Sequence, residues 1–301
     1  MHGICKLCQK EKNLQKSHLT PSFVTRWLKE SSPGFIRSSQ NPNVRTQDGI
    51  KDYLLCKDCE QLFSKWERVF ANDIFYPYHS NLGKHEYYDY GDWCLKFSVS
   101  VSWRLLTKAL TRDLSNLNDN QLKAAKEAEF VWREFLLSNR KDPGSFCQHL
   151  VPLDIVKSIN SSNPSPYLNR YLLRSIDFDI PSNNKRAFVY VKLGRLAQFG
   201  IIDERYPSHW TGTKLHLRKG IIGRKILKLP AGIDEYFHYR SNKSASLLAN
   251  MSDSQKEKVE KMIIDNLDDL VQFEIFNAIS QDAFLFGNDA FSITEVKKDE
   301  G

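Results

Sequence analysis

From Cys59 to Phe70 the apolar residues recur with helical spacing: Cys59, Phe63, Trp66 and Phe70 fall on one stripe, widened by Leu62 and Val69. A helix buried along that stripe is predicted. Glu60, Ser64 and Glu67 follow at i, i+4 and i+7 on the adjoining stripe, so two carboxylates border the buried face. Just upstream, Tyr53-Leu54-Leu55 reads as a short apolar strand delivering Cys56. The rest of residues 1–55 reads as short extended pieces and loops, with a short helix near Phe23 to Leu28. From Ser31 to Asp48 the chain turns to Ser, Asn, Pro, Gly and Gln, the composition of an exposed loop. A loop of that length suits contact with a substrate or partner.

Residues 71–92, rich in aromatics and carrying His79 and His85, read as an irregular connector. Trp93 to Leu114 is expected to form a buried helix, although Phe97-Ser98-Val99-Ser100-Val101 alternates as a strand would. Asp119 is placed to cap a helix over Gln121 to Leu137, which Asp142-Pro143-Gly144 would stop. After the polar, Pro-containing stretch 160–169 the period changes. Tyr171 to Ile180 and Arg186 to Ile202 are β-branched and aromatic and flank Pro181-Ser182-Asn183-Asn184, the pattern of a long hairpin. Trp210 to Leu217 and Gly223 to Leu229 read as further strands. Ser252 with Gln255 reads as a capping box opening a helix to Leu270, with Val271 to Ser280 continuing it and 294–301 a disordered charged tail. The predicted class is α+β in four segments: an N-terminal module (1–90), a helical region (91–165), a basic β-rich region (166–230) and a helical region with the tail (231–301).

Charge changes this picture in one place. Residues 166–230 carry 13 Lys and Arg against 4 Asp and Glu, whereas residues 231–301 carry 7 against 14. The basic block suits a phosphate backbone, and the acidic block either forms a separate surface or pairs with it. Candidate phosphate contacts are Lys185, Arg186, Lys192, Arg195, Lys214, Arg218, Lys219, Arg224 and Lys225, with Arg218, Lys219 and Arg224 as the core of a cluster near Trp210. Trp210 itself reads as a core residue in preference to a stacking platform. No apolar run approaches membrane-spanning length and no leader pattern opens the chain, so a cytoplasmic protein is expected. Phosphate-loop, nucleophile-elbow and HExxH motifs are absent, which removes support for those NTPase, hydrolase and metalloprotease readings.

The clearest chemistry is in the cysteines. Cys5 and Cys8 form one CxxC pair, Cys56 and Cys59 a second, 47 residues apart, while Cys94 and Cys147 stand alone in apolar surroundings. Each two-residue gap lets one backbone knuckle present two thiolates to the same centre, so one structural zinc ion is expected. Four sulfur ligands close the coordination sphere, and catalysis would need a second centre.

A CxxC pair, a His followed closely by Pro (Ser17-His18-Leu19-Thr20-Pro21), and a second CxxC opening a helix resemble the zinc-stapled branch of the HNH (His-Me finger) endonucleases over about residues 3–75. The resemblance implies a ββα-metal-like N-terminal module in which His18 is the general base that deprotonates water for attack on a phosphodiester. It also implies a divalent ion, Mg²⁺ or Mn²⁺, for which Glu60 and then Glu67 are the available oxygen ligands. Ser17 stands where many members carry an acidic residue or a second His, and Glu60 where Asn or His is common. The implied function is a metal-dependent endonuclease on DNA or RNA, in the setting of bacterial or phage antiviral defence. The competing expectation is a catalytically inactive zinc module that binds nucleic acid or a protein partner, with homo-oligomerisation open. In that case His18 bonds a turn carbonyl, and Glu60 and Glu67 form a solvated helix edge.

Overall fold

The computed structural model of the protein describes residues 1–31, 36–38, 41–46, 48–80, 87–112, 114–223, 226–266 and 273–291. Helices and strands mix through them in an α+β order. Strands β1 (His2–Ile4) and β2 (Glu11–His18) pair antiparallel around the CKLC turn, with His2 opposite Asn13. Helix α1 (Ser22–Glu30) runs to either side of the predicted Phe23 to Leu28. Two short strands, β3 (Arg37–Ser38) and β4 (Asn41–Arg45), pair within the stretch predicted to be a loop, parts of which lie outside the described residues. Strand β5 (Lys51–Cys56) pairs antiparallel with β2 and leads straight into α2 (Lys57–Phe70), whose buried residues Cys59, Phe63 and Phe70 are those the helical spacing predicted.

The aromatic connector, read as irregular, is helical over residues 71–80 and a strand over Tyr87–Tyr90. The chain leaves α2 through a π-turn (Ala71–Phe75) into α3 (Tyr76–Ser80), and strand β6 (Tyr87–Tyr90) follows. Ring burial drives this: Phe70 stacks on Phe97 at 3.8 Å and Phe75 meets Phe23 edge-on at 4.9 Å. Helix α4 (Asp92–Ala109) is buried on nearly every side, as a helix without a polar face must be. The serines that imitated strand alternation face inward. Ser102 donates to Gln148 Oε1 at 2.8 Å and accepts from Gln198 Nε2 at 2.8 Å, while Gln148 Nε2 and Gln198 Oε1 are buried with no hydrogen-bond partner among the described residues. Helix α5 (Asp119–Leu136) is capped by Asn118, one residue before the predicted Asp119, in a reciprocal box with Gln121. It ends at Leu136, followed by Ser138 in the left-handed conformation (φ 64°), before the predicted Asp142-Pro143-Gly144 stop.

The hairpin region departs from expectation in detail. After β7 (Gln148–Pro152), the predicted strand from Tyr171 to Ile180 is divided into helix α6 (Leu168–Arg174) and strand β8 (Ile176–Asp179). The cause lies 112 residues away: the Asp282 carboxylate accepts the Asn169 and Arg170 N–H groups at 2.8 and 3.2 Å and so satisfies the start of α6. Arg186 to Ile202 is two strands, β9 (Arg186–Leu193) and β10 (Leu196–Glu204), turned at Gly194 (φ 59°). The four-stranded sheet runs β7-β10-β9-β8, antiparallel throughout. Trp210 to Leu217 and Gly223 to Leu229 contribute isolated bridges where strands were expected. The ladder there is β11 (Gly220–Gly223) against β6. Helices α7 (Ile233–Ala249), α8 (Asp253–Asp265) and α9 (Glu274–Phe286) complete the described chain. The predicted capping box does not form: the Ser252 N–H donates to Asn43 Oδ1 and Gln255 Oε1 accepts from Arg37. The tail 294–301 lies outside the described residues.

The elements gather into two compact units. Unit 1 comprises Met1–Phe23, Gly49–Pro152 and Ile176–Leu229; unit 2 comprises Val24–Asp48, Leu153–Ser175 and Pro230–Gly301. In unit 1, α4 lies between α2 and α5 and against β9 and β10. A Cβ on Gly200 of β10 would fall 2.5 Å from Ser102 Oγ, so glycine permits this close approach of sheet to helix. In unit 2, α6 packs on α7 and α9, and Arg170 pairs with fully buried Asp282 at 2.9 Å. Among the described residues no helix is long and apolar enough to cross a membrane.

Candidate functional site

The four CxxC cysteines converge. Cys5 and Cys8 lie in the turn after β1, Cys56 ends β5, and Cys59 sits in the first turn of α2; their sulfur atoms all lie within 4.8 Å of one another. A tetrahedral zinc with bonds of about 2.3 Å sets sulfurs about 3.8 Å apart, and Cys8 Sγ is 3.9 Å from Cys56 Sγ. The Cys56 N–H donates to Cys5 Sγ at 3.3 Å. The Cys59 thiol hydrogen-bonds to Cys5, which pulls the Cys5 pKa down and, with burial, pushes that of Cys59 up. The donor set could hold a metal ion such as zinc, and it is the one group of three or more metal-type ligands among the described residues.

The strand that carries His18 is shaped by a β-bulge. Leu14 and Ser17, three residues apart, would face opposite sides of a regular strand; a register shift between Gln15 and Lys16 turns both inward, Ser17 completely. Ser17 Oγ then donates to Glu60 Oε2 at 2.6 Å. The two positions at which the chain departs from the HNH pattern are therefore in contact. His18, the next residue, is half-buried, and strand alternation turns it to the other face. Its carbonyl oxygen accepts from Arg104 Nη1 at 3.0 Å.

Arg104, on α4, is a residue that periodicity did not single out. It is 1% exposed; its Nε donates to the Ser100 carbonyl at 3.2 Å and its Nη2 to Glu67 Oε1 at 2.7 Å. Glu67 is thus held in an ion pair with this guanidinium. His79 has both ring nitrogens engaged, Nδ1 donating to the Phe75 carbonyl (2.7 Å) and Nε2 accepting the Arg195 N–H (2.8 Å), which makes it a packing residue. His85 lies outside the described residues.

The basic block divides between interior and surface. Arg186 and Lys192 are buried, Arg186 paired with Glu204 at 3.2 Å and Lys192 donating to the Gly194 carbonyl. Arg195 is buried with its guanidinium over the Tyr78 ring. These three face no phosphate backbone, a correction to the sequence reading: alternation along β9 and β10 does not expose them because the sheet is buried on both faces. Lys214, Arg218 and Lys219 are exposed, and Arg224 and Lys225 lie outside the described residues. Lys214, His216 and Lys219 line an open cavity of about 780 Å³ with Tyr90 and the edge of Trp210. Trp210 is a core residue, as its neighbours show: His149 lies at 4.5 Å, Phe199 at 5.0 Å, and its Nε1 donates to Glu204 at 2.9 Å. Beside it, Cys147 Sγ is 3.5 Å from His149 Nε2 while His149 Nδ1 meets Thr213 Oγ1 at 2.9 Å. Burial and then Lys214 depress the His149 pKa to about 3, so the ring is neutral. An x-separated Cys and His was the only sequence signal for this pair.

No family model matches the chain, and no curated protein or solved structure matches it either.

Proposed function

We propose that the unit 1 stretches within about residues 3–75, those up to Phe23 and from Gly49 on, form a zinc-stapled module of the HNH (His-Me finger) type and that the protein cleaves nucleic-acid phosphodiesters. The observation that carries this reading is local. Strands β2 and β5 pair antiparallel, β5 runs straight into α2, four thiols gather at one end, and Ser17, the residue beside His18, is hydrogen-bonded to Glu60 at 2.6 Å. In this reading His18 takes the proton from the attacking water. Glu60 offers a hard carboxylate oxygen to Mg²⁺ or Mn²⁺, which when bound would stabilise the leaving oxygen. Glu67, engaged by Arg104, serves to hold α2 against α4 and is not part of the ligand set. Lys214, Arg218 and Lys219 supply phosphate contacts away from the chemistry.

One observation favours a second reading. Arg104 bridges the His18 carbonyl and Glu67, which brings a positive charge close to where a divalent ion would sit. A module of that kind would bind nucleic acid or a protein without cutting. A nuclease assay with Mg²⁺ or Mn²⁺ separates the two. The enzyme reading expects His18→Ala to lower cleavage roughly 10²–10⁴-fold with folding and zinc content intact. Absence of cleavage by the parent protein with either ion, on single- and double-stranded DNA and RNA, would refute the enzyme reading. Zinc itself is checked by metal analysis: one equivalent per chain is expected, lost in Cys56→Ser/Cys59→Ser.

A further inference from the structure

Unit 1 holds a cysteine and histidine pair that neither the four-cysteine site nor the nuclease reading uses. Cys147 stands one residue before β7 and His149 is the second residue of that strand, so alternation puts both side chains on one face. The Cys147 carbonyl accepts the Ile201 N–H at 2.9 Å, which carries the pairing with β10 past the start of β7 and fixes where the thiol stands. Cys147 is half-buried and His149 buried, with Sγ 3.5 Å from Nε2. At the other ring nitrogen, Nδ1 meets Thr213 Oγ1 at 2.9 Å, and Trp210 packs on the ring at 4.5 Å. Both side chains line a cavity of about 180 Å³, whose walls include Ile201, Pro207 and Trp210 and the acidic Asp203 and Glu204.

We propose that Cys147 and His149 together bind a thiophilic divalent ion of the zinc type, with water from the cavity filling the remaining coordination positions. The inference is independent of the nuclease reading, since none of these residues lies within residues 3–75. Three observations meet at the pair. The span fits: bonds of about 2.3 Å to a thiolate and about 2.0 Å to an imidazole, at a tetrahedral angle, set sulfur and nitrogen about 3.5 Å apart. The ring is oriented as a metal-bound histidine is, by a hydrogen bond at the nitrogen that does not ligate; with Nδ1–H donating to Thr213 Oγ1, the Nε2 lone pair faces the thiol. Space for the rest of the shell is present, because the cavity is several times the volume of one water, about 30 Å³. One sulfur and one imidazole nitrogen select zinc-like ions over Mg²⁺, which prefers oxygen. Two charges act on a bound ion in opposite directions: exposed Lys214, bridged to His149 along the backbone, opposes it and Glu204 favours it. Glu204 contributes that charge without a bond to the ion, since its carboxylate already accepts from Trp210 Nε1 at 2.9 Å and the Tyr206 N–H at 2.9 Å and pairs with Arg186. On binding, the Cys147 thiol gives its proton to solvent as the sulfur–metal bond forms, one proton for each ion. Unlike four thiolates, two protein ligands leave positions open to exchange.

The test adds Co²⁺ to the full chain purified with zinc and follows the sulfur-to-cobalt absorption band, which oxygen ligands such as Glu60 do not produce. Zinc content measured after the titration shows that the four-cysteine site has not exchanged. One equivalent of Co²⁺ is expected to develop the band, with about one proton released for each ion bound. Cys147→Ser, nearly the same in shape, should lose it. Because the parent is read against Cys147→Ser, the comparison holds whichever ion occupies the four cysteines. Thr213→Val removes the hydroxyl that orients the ring and should weaken Co²⁺ by about tenfold or more with the band retained; His149→Gln should weaken it further. Circular dichroism checks the fold of each variant, and the Cys147→Ser result stands if the substitution at buried His149 prevents folding. A band in the parent no stronger than in folded Cys147→Ser would leave a thiol–imidazole hydrogen bond only and overturn the proposal, as would Co²⁺ affinity unaltered in folded His149→Gln.

Discussion

Replacing Arg104 by methionine tests how the N-terminal module is held together. The guanidinium is 1% exposed and the Glu67 side chain 18%, with Nη2 and Oε1 at 2.7 Å, so the guanidinium has no bulk water as an alternative partner and the carboxylate little. Arg104→Met removes the guanidinium that lies over the Phe63 ring, leaves the Glu67 carboxylate without this partner and takes away the 3.0 Å donor to the His18 carbonyl. Breaking one side of a buried pair costs about 3–5 kcal/mol. Removing both charges together is far milder, so Arg104→Met/Glu67→Met should recover about 2 kcal/mol or more of that loss. Urea unfolding followed by tryptophan fluorescence gives both numbers from the shift in midpoint. A loss below about 1 kcal/mol in Arg104→Met, or a double variant no more stable than the single one, would refute the view that the pair is buried and mutually dependent.

Three shorter predictions follow from other contacts. Ser17→Asp sets a carboxylate against Glu60 at what is now a 2.6 Å hydrogen bond, so melting in chelator should fall and added Mn²⁺ should restore it; Mn²⁺ without effect would argue against a divalent site there. His149 stays neutral in the folded chain down to about pH 3, whereas the unfolded chain takes up its proton near pH 6.5. Stability should therefore decline as pH falls through that window, by up to about 1.4 kcal/mol per unit, and His149→Gln should show a shallower decline between pH 6.5 and 5. A Cβ on Gly220 would lie 2.2 Å from Tyr90 Oη and 2.4 Å from Cζ, so Gly220→Ala should destabilise by about 1–3 kcal/mol, and Tyr90→Phe should not rescue it because the ring carbon remains.

What could be read in the chain was whatever depends on near neighbours. The stripe Cys59–Phe63–Phe70 forms the buried side of α2, and the CxxC pairs meet, because three-to-four-residue spacing and two-residue gaps act locally. What could not be read depends on distant partners. The start of α6 is satisfied by Asp282, the Ser252 N–H by Asn43, and Glu67 by Arg104, and no local pattern announces any of them. The basic block misled for a related reason: a count of charges does not distinguish exposed Arg218 from Lys192, which is 0% exposed.

The interleaving of the two units along the chain has a consequence for the order in which the protein can be made. Unit 1 has all of its stretches once synthesis reaches Leu229, but unit 2 needs Val24–Asp48 from near the start and Pro230–Gly301 from the end. Val24 and Trp27, 0% and 9% exposed in the folded chain, therefore belong to a unit that is complete only after Pro230–Gly301 has been made. An apolar segment kept waiting is a target for chaperones and a seed for aggregation. Slowed translation beyond codon 229 would lengthen that exposure, and moving residues 230–301 ahead of residue 1 by circular permutation would shorten it.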